Sequence, residues 1–355
     1  MSMKSDWQRL LIDQGAVTNG DRIEHFGAPQ EELSAAVSAT AVCDLSHYTL
    51  LEISGVDAGE FLQGQLTNDV RQLQDNHSQL SAYCDHKGRM LALFRIWPWQ
   101  EGFRATLPSE LADEVAGRLR MFVLRSKVEI HDRSTGIARL GIAGSAAAAL
   151  LEQHVGPVPQ AVNRFTDQRS TRITRLPGEH PRFELHLPVE HAGRLWQSLS
   201  SEARPVGAPC WDLLMIRAAQ PEVVAATRSL FTPQMLNLEV LDGVSFNKGC
   251  YTGQEVVART QFLGTIKRRM FPGKAAAETQ PPAGGELIGA EAASGQATGR
   301  IVLSAPSPDG GYEVLAMVQI SAREAGSLHI EGAPAATVEL RDPPYSLEQI
   351  KPGSQ

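Results

Sequence analysis

The sequence has no excess of positive charge. It carries 33 lysine and arginine residues against 40 aspartate and glutamate residues, which gives a net charge of −7 at pH 7. A protein that holds nucleic acid over a broad surface needs a basic field, so this charge balance predicts no direct nucleic-acid partner. A local basic pocket for a small anion is compatible with the same balance.

Cysteine is scarce, and its spacing does not match a metal site. The chain has four cysteines, none of them in a Cys-x-x-Cys pair, and no cysteine and histidine spacing fits zinc. We therefore predict no resident metal. A chain of 355 residues buries enough apolar surface to fold without disulfides, so we expect a reducing, cytoplasmic location.

The sequence also lacks the fingerprints of several protein classes. The absence of Walker A, Gly-x-Gly-x-x-Gly and Gly-x-Ser-x-Gly sequences argues against common nucleotide sites and against a nucleophile-elbow hydrolase. The ten histidines form no His-x-x-x-His pair. No apolar run is long enough to cross a bilayer, and residues 1–11 do not resemble a signal peptide. We therefore expect no membrane partner.

The chain does contain two successive blocks that alternate strand and helix patterns. The second block repeats the order of the first, which is typical of two related α+β layers. Short strands separated by glycine turns near the C-terminus predict a small barrel. After a loose helical or irregular lead-in, the predicted divisions are a first α+β domain at 33–131, a second at 132–205, a returning segment at 206–265 and the barrel at 266–345.

One stretch, residues 248–255, places a cysteine among glycines and charged residues. The residues after Gly253 have a helical pattern, so Cys250 would lie just before a helix N-terminus. Exposed N–H groups and the helix dipole there favour a thiolate, and Lys248 would add positive charge. Cys250 and Lys248 are therefore candidate catalytic residues. A free cysteine is also commonly a buried structural residue, and the residues alone leave both interpretations open.

The same octapeptide, Lys-Gly-Cys-Tyr-Thr-Gly-Gln-Glu, resembles the signature of the YgfZ family of folate-binding proteins. These relatives of the glycine-cleavage T protein act in the maintenance of iron–sulfur enzymes. Further segments resemble the family in the same order along most of the chain, at 61–70, 84–90, 231–238 and 344–347. The resemblance implies a T-protein-like α+β fold, with two α+β layers around a central channel and a small C-terminal β-barrel.

The resemblance also implies tetrahydrofolate as the ligand of that channel. A flat, polar pterin stacks on aromatic rings, and the family pattern places Tyr48 and Trp211 there, although both would also suit an ordinary core. The anionic glutamate tail needs basic groups, and the candidate is Arg259, followed by the basic run 267–269. The signature would add further ligand contacts from Gly249, Tyr251, Gln254 and Glu255.

One departure from the T-protein pattern bears on activity. T-protein enzymes have an acidic residue in the strand after a glycine turn, and alignment on Lys87 and Gly88 places Ala92 there. A methyl group cannot act as a general base or hold a charged amine. We therefore expect that the transferase chemistry is lost and that the Cys250 thiol is an addition.

The resulting hypothesis is a monomeric, tetrahydrofolate-binding accessory protein for the assembly or repair of iron–sulfur enzymes, including tRNA-modifying ones. Cys250 would ligate an iron–sulfur species transiently, or perform a redox or trapping step. One cysteine cannot hold a cluster alone, so client enzymes or the folate would complete the site. The alternative is a folate-dependent one-carbon (aminomethyl) transferase or demethylase. A tRNA-binding module is a third option, which the acidic charge disfavours.

Overall fold

The computed structural model describes residues 3–289, 296–326 and 328–348. The predicted barrel range of 266–345 includes residues 290–295 and residue 327, which lie outside this description. The described chain contains a hairpin near the N-terminus, two larger sheets and a closed barrel. Within the described ranges, no helix is long and apolar enough to cross a membrane.

The helices and strands are numbered here in chain order. The helices are α1 (Met3–Asp13), α2 (Pro29–Ser38), α3 (Ala58–Gln63), α4 (Ser109–Met121), α5 (Ala147–His154), α6 (Val189–Ser200), α7 (Ala208–Arg217), α8 (Gln254–Phe262) and α9 (Ile320–Glu324). The strands are β1 (Val17–Asn19), β2 (Arg22–His25), β3 (Ala41–Asp44), β4 (Tyr48–Ser54), β5 (Gln79–Cys84), β6 (Met90–Trp99), β7 (Gly102–Pro108), β8 (Glu129–Asp132), β9 (Ile137–Ala143), β10 (Phe165–Gln168), β11 (Thr171–Leu176), β12 (Arg182–Pro188), β13 (Arg204–Val206), β14 (Arg268–Ala275), β15 (Glu286–Gly289), β16 (Ala297–Pro306), β17 (Tyr312–Gln319), β18 (Leu328–Ile330) and β19 (Ala333–Leu340).

The first large sheet has the strand order β5-β6-β7-β4-β8 and is antiparallel throughout. Its β5–β6 hairpin turns at residues 85–89, where the sequence predicts a turn, and Gly88 there has a positive φ of 69°. The buried side chains of α4 pack against β4, β6 and β7. The long apolar run of β6 is therefore covered on one face by this helix, while its other face turns toward the second sheet.

The second large sheet has the order β10-β11-β12-β9-β3-β13. Strand β3, which falls within the range 33–131, pairs with β9 and β13 and so belongs to this second sheet. The lead-in before it is more regular than the sequence predicts. Helix α1 packs against α6, and its Trp7 Nε1 donates a hydrogen bond of 2.8 Å to Asp44 Oδ1 on β3. The lead-in is ordered by long-range contacts, which a local pattern does not reveal.

The barrel closes in the order β14-β17-β16-β15-β18-β19. Alternate residues of its strands, such as Phe271 and Val318, fill the barrel's own core. The intervening residues Met270 and Met317 point the other way, into the main core of the molecule. The predicted C-terminal barrel is therefore confirmed, and its outer face is packed against the α+β part of the chain.

Candidate functional site

A cavity lies between the two large sheets and is closed by the segment that follows α7. Its cavity volume is about 80 Å³, and about 590 Å³ when the adjoining open space is counted. Tyr48, at the start of β4, and Trp211, in the first turn of α7, both line it. The structure therefore brings these two sequence-predicted residues together from positions more than a hundred and sixty residues apart.

The Trp211 ring is held against the second sheet by a glycine and an arginine. A Cβ atom at Gly141 on β9 would lie 2.5 Å from the ring, so only glycine leaves room for it. The Arg182 guanidinium lies 5.2 Å from the ring centre, a distance at which cation–π attraction operates. Trp211 is 3% exposed. Its edge at the cavity is thus fixed in place before any ligand arrives.

Tyr48 forms a second aromatic wall. The Arg139 guanidinium lies 4.8 Å from its ring centre, and the Tyr48 hydroxyl lies 3.6 Å from Met215 Sδ. Burial raises the pKa of the Tyr48 phenol well above its usual value, and the nearby Glu222 carboxyl adds to this effect. The phenol is therefore neutral at physiological pH and can donate a hydrogen bond.

Strand β12 contributes a polar face to the cavity. Arg182, Glu184 and His186 alternate with apolar residues that fill a separate core, so the three polar side chains share one side. Glu184 Oε1 accepts a hydrogen bond of 2.8 Å from Arg139 Nη2 and lies 3.1 Å from His186 Nε2. Burial opposes ionisation of Glu184, but Arg139 and His186 outweigh it and hold the pKa well below the usual range.

Arg139 and Arg182 have buried nitrogen atoms without hydrogen-bond partners. In each guanidinium, Nε and Nη1 make no hydrogen bond with any described residue. Burial, with repulsion from Arg95, lowers the pKa of Arg182 to about 9. A buried donor that lacks a partner costs about 1–3 kcal/mol. Both arginines line the cavity, so their unpaired nitrogens are close to any polar group that enters it.

The cavity contains a carboxyl group with an unusual proton affinity. Burial raises the pKa of Glu222 to about 8, and repulsion from Asp212 contributes. Ala92, the position aligned with the T-protein acid, is fully buried in the core and does not line the cavity. The neighbouring residues 93–95 of β6 do line it, and none of them is acidic. The cavity therefore receives its carboxylates, Glu184 and Glu222, from other parts of the chain.

A second, more open chamber adjoins the first and shares Leu80 and Gln220 with it. It encloses about 1460 Å³ including open solvent. Arg217 and Arg341 line it and are both paired with the buried Glu313, at 2.5 Å and 3.1 Å. Three carboxylates also line this chamber, so only the side that carries the two arginines suits an anion. These acidic residues are Glu179, Asp242 and Asp342.

The octapeptide lies apart from both chambers, because none of residues 248–255 lines either one. Lys248 is 7% exposed, and its Nζ donates to the carbonyl oxygens of Leu66 and Asn68 at 2.5 Å and 2.8 Å. Burial lowers the pKa of Lys248 to about 8. Its ammonium group thus joins two chain segments, a structural role that sequence reasoning missed.

Cys250 is exposed, and so is Gly249 before it. This excludes the interpretation of Cys250 as a buried structural cysteine. Tyr251, in contrast, is buried with its ring 5.1 Å from the Lys248 ammonium. The thiol therefore lies at the surface on a loop whose flanking residues are anchored.

Helix α8 begins at Gln254, close to the predicted start, and Gln254 Oε1 accepts a hydrogen bond of 3.3 Å from Tyr251 N. Gly253 has a positive φ of 82°, and a Cβ there would lie 2.4 Å from the Asp85 carbonyl oxygen. Glu255 and Arg259 are exposed on the helix. The structure does not bring them to the chambers that Tyr48 and Trp211 mark.

The segments that carry the family resemblance meet in space around this loop. Besides the Lys248 contacts, Thr67 Oγ1 donates to Gly243 O at 2.7 Å, and Gln234 Nε2 donates to Val257 O at 2.7 Å. Met90 N donates to Phe231 O at 2.9 Å. Segments 61–70, 84–90 and 231–238 and the octapeptide with its flanks, residues 243–257, thus form one hydrogen-bonded cluster, which we call the motif cluster.

Sequence reasoning missed Arg139, Arg182, Glu184 and Glu222 as cavity residues. A signal for part of the set existed: on β12, polar residues alternate with apolar ones in a strand that is buried on both faces. Such a pattern is unusual for a structural strand, because buried charges are costly unless they are paired. Glu222 gives no comparable signal, since it lies in an irregular segment.

Comparison with known proteins agrees with this geometry. Residues 21–248 match the GCVT N-terminal domain family. The chain is 34% identical over 323 residues to the tRNA-modifying protein YgfZ of Enterobacter sp. (strain 638), covering 90% of this chain and 98% of that protein. It is also 34% identical over 322 residues to the tRNA-modifying protein YgfZ of Klebsiella pneumoniae (strain 342), covering 90% and 97%.

The chain belongs to the YgfZ family. The resemblance seen in the octapeptide is thereby confirmed over almost the whole length of the relatives. Among solved structures, glycine cleavage system aminomethyltransferase T from Bartonella henselae matches with a TM-score of 0.73 at 18% identity, covering 96% of this chain and 95% of that one. At this identity the likeness establishes the fold, and the T-protein-like architecture predicted for this YgfZ protein is confirmed.

Proposed function

We propose that this protein binds a tetrahydrofolate in its two chambers and supports iron–sulfur enzymes, including enzymes that modify tRNA. The observation that carries the folate part is the cavity between the two large sheets, which we call the inner cavity. Tyr48 and Trp211 line it, and so do Arg139 and Arg182, whose buried nitrogens lack partners among the described residues. The tRNA part is supported by the names of the relatives, which are called tRNA-modifying proteins. The iron–sulfur part follows from the family resemblance and the exposed thiol of Cys250.

The inner cavity has the chemistry that a pterin requires. A pterin carries ring nitrogens, a carbonyl and an amino group around a flat π-system, so it needs hydrogen-bond donors, acceptors and aromatic faces. Arg139 and Arg182 offer unused donors, and Glu184 and Glu222 offer carboxyl oxygens. Trp211 offers an aromatic surface that is already fixed. Binding would therefore satisfy buried polar groups at little cost in ordering the site.

The second, more open chamber, which we call the outer chamber, suits the glutamate tail of the ligand. The glutamate tail is anionic, and Arg217 and Arg341 line the chamber next to the shared residues Leu80 and Gln220. Glu313 holds both guanidinium groups but leaves other nitrogens of each for a second carboxylate. We assign the tail to this pair in place of Arg259, which is exposed on α8 and lines neither chamber.

Trp211→Ala tests the folate assignment. We expect the dissociation constant for tetrahydrofolate, measured by isothermal titration calorimetry, to rise about tenfold or more, because stacking on an aromatic ring contributes roughly 1–3 kcal/mol per ring system. Trp99→Ala is the matched control, since Trp99 contacts Arg104 and lines neither chamber. Equal affinity in wild type and Trp211→Ala would place the folate elsewhere.

Cys250 is the cysteine suited to contact another protein. Burial raises the pKa of the Cys43, Cys84 and Cys210 thiols, so these three are buried, neutral groups. Cys250 is exposed. Val256, Phe262 and Leu263 on and after the adjoining α8 are exposed apolar side chains. A client enzyme that docks on this apolar surface would bring its own ligands to a species held by one thiolate.

Cys250→Ala tests the thiol. In a strain that lacks its own YgfZ protein, we expect this variant to give less than about a tenth of the iron–sulfur enzyme activity that wild type restores, since alanine cannot ligate iron. The purified variant should keep its melting temperature and its tetrahydrofolate affinity, because the side chain is exposed and lies outside the chambers. Full restoration by Cys250→Ala would contradict the proposed role.

A second candidate function is folate-dependent one-carbon transfer, and Glu222 is the observation that favours it. A carboxyl group with a pKa near physiological pH can donate and accept a proton beside a bound pterin. Formation of methylene-tetrahydrofolate from tetrahydrofolate and an S-aminomethyl thiol, with release of the free thiol and ammonia and no change of oxidation state, tests it when measured by absorbance. Turnover that Glu222→Gln abolishes would favour the transferase over the accessory role.

A further inference from the structure

The outer face of the barrel carries basic and sulfur-containing side chains in register. Arg300 on β16 lies opposite Met317 on β17, which lies opposite Met270 on β14. Arg268 is two residues before Met270 on the same strand, so the period of two places it on the same face. This face is the one that turns away from the barrel core and toward the α+β part of the chain.

A cleft separates this face from the motif cluster. It encloses about 630 Å³ including open solvent. Arg89, Leu230 and Met235 line its far wall, where Arg89 Nη1 donates a hydrogen bond of 2.5 Å to the Leu230 carbonyl oxygen and lies 3.8 Å from Met235 Sδ. The barrel supplies the near wall, including Arg268, Thr298, Arg300 and Met317. The cleft is therefore built from both parts of the molecule.

The charged side chains that line this cleft are all positive. Three guanidinium groups line it, and no carboxylate is among the described lining residues. Arg300 is paired with Glu286 outside the cleft, whereas the Arg89 guanidinium donates, among the described residues, only to a neutral carbonyl and to sulfur. The Arg268 side chain is exposed and makes no hydrogen bond or ion pair with the described residues. In a protein of net charge −7, such a concentration of cations favours an anion at this place.

We propose that this cleft binds a phosphate ester. A phosphate group accepts several charge-assisted hydrogen bonds at once, and guanidinium groups from separate elements match that geometry. The Thr298 hydroxyl already donates to the Leu287 carbonyl oxygen at 3.3 Å, so the guanidinium groups are the donors that the site offers. Leu230 and Met235 on the far wall and Met317 on the near wall add apolar surface that fits the organic part of the ester, because a thioether adapts to flat or irregular surfaces. The ester belongs to a small organic phosphate or to the backbone of a nucleic-acid strand.

Calorimetric titration of the full chain with adenosine monophosphate at low salt tests this site. We expect binding to wild type, and weakening of about tenfold or more in Arg268→Glu, because one charge-assisted contact is replaced by repulsion. Lys267→Glu is the matched control, since it makes the same charge change at the exposed neighbouring position, and we expect it to stay within about twofold of wild type. Tetrahydrofolate affinity should be equal in all three proteins.

Further probes separate the sources of the phosphate. If a short single-stranded RNA displaces adenosine monophosphate at lower concentration than free nucleotide does, the ester is that of an RNA backbone. If the mononucleotide binds more tightly than the RNA, it is a small molecule. Binding of adenosine as tight as that of its monophosphate would overturn the proposal, as would equal loss in Lys267→Glu. Absence of any wild-type binding to both the nucleotide and the RNA would also overturn it.

Discussion

At the scale of single residues, the inner cavity is lined by arginine side chains that are buried but only partly hydrogen-bonded. Arg139 and Arg182 each have two buried nitrogens that lack partners among the described residues. Such groups destabilise the ligand-free protein, since a buried unsatisfied donor is costly. Both arginines line the same cavity as the aromatic residues Tyr48 and Trp211, and this combination agrees with the proposed ligand site.

Glu222 makes the stability of the folded protein depend on pH. Its folded pKa is raised to about 8 from an ordinary 4.5, so between these values the folded protein keeps a proton that the unfolded chain releases. Stability contributed by this group is therefore lost as pH rises from about 4.5 to about 8. Glu222→Gln keeps the shape without the ionisation, and we expect it to exceed wild type in stability by roughly 1–2 kcal/mol near pH 8 and to match it near pH 4.5.

Urea denaturation at both pH values measures this difference. Glu278→Gln, at an exposed position, is the control and should show no change in the gap between the two pH values. If Glu222→Gln and wild type had parallel stability profiles from about pH 4.5 to about pH 8, the Glu222 carboxyl would ionise normally, and its part in the alternative function would lose its basis.

At the scale of elements, the start of α8 depends on one glycine. Gly253 adopts a positive φ of 82°, and its α-carbon faces the Asp85 carbonyl at a distance that leaves no room for a Cβ. We expect Gly253→Ala to lower the free energy of unfolding by about 2–3 kcal/mol, through backbone strain and a steric clash. Gly249→Ala, in the same octapeptide, should change it by less than about 0.5 kcal/mol, because no atom of the described residues lies within 4 Å of that Cβ position.

Urea denaturation of the two variants measures both free energies of unfolding. Equal stability of Gly253→Ala and Gly249→Ala would mean that α8 is free to shift away from the β5–β6 turn. In that case the exposed position of Cys250 would not be fixed by its neighbours.

Element prediction from the sequence succeeded where the signal is local. The hairpin turn at 85–89, the start of α8 near Gly253 and the strand-rich C-terminal region follow from glycine positions and apolar periodicity. Prediction was weaker for α1, which the lead-in pattern showed only as loosely helical. The amphipathic face of α1 gains its partner, α6, from a segment far along the chain.

At the scale of the whole molecule, a buried ion pair ties the barrel to Glu239, the residue that follows segment 231–238 of the motif cluster. Arg269 on β14 pairs with Glu239, and both side chains are less than 5% exposed. Asn237 reinforces this junction, with its Nδ2 donating to Met270 O at 2.8 Å. Removal of one partner from a buried pair leaves an uncompensated charge, which typically costs 3–5 kcal/mol.

We expect Arg269→Ala to lower the free energy of unfolding by about 3–5 kcal/mol, because Glu239 would stay buried without its partner. Arg268→Ala is the matched control, since the adjacent side chain is exposed, and should change stability by less than about 0.5 kcal/mol. Denaturation followed by tryptophan fluorescence and by circular dichroism measures both variants. A loss below about 1 kcal/mol for Arg269→Ala would mean that the barrel is attached mainly by apolar packing.

The sequence by itself determined the alternation of strands and helices and the C-terminal barrel, because glycine turns and periodicity depend on neighbouring residues. Its motifs also identified the family, and the family resemblance pointed to Tyr48 and Trp211, whose contact with a folate stays a prediction. Only the tertiary structure decided that the octapeptide lies outside the chambers, that Lys248 is a structural donor, and that Arg139 and Arg182 are buried with unused hydrogen-bonding groups. Each of these depends on which distant segments come into contact, because burial and hydrogen-bond partners are properties of the packed chain and not of any one stretch of it.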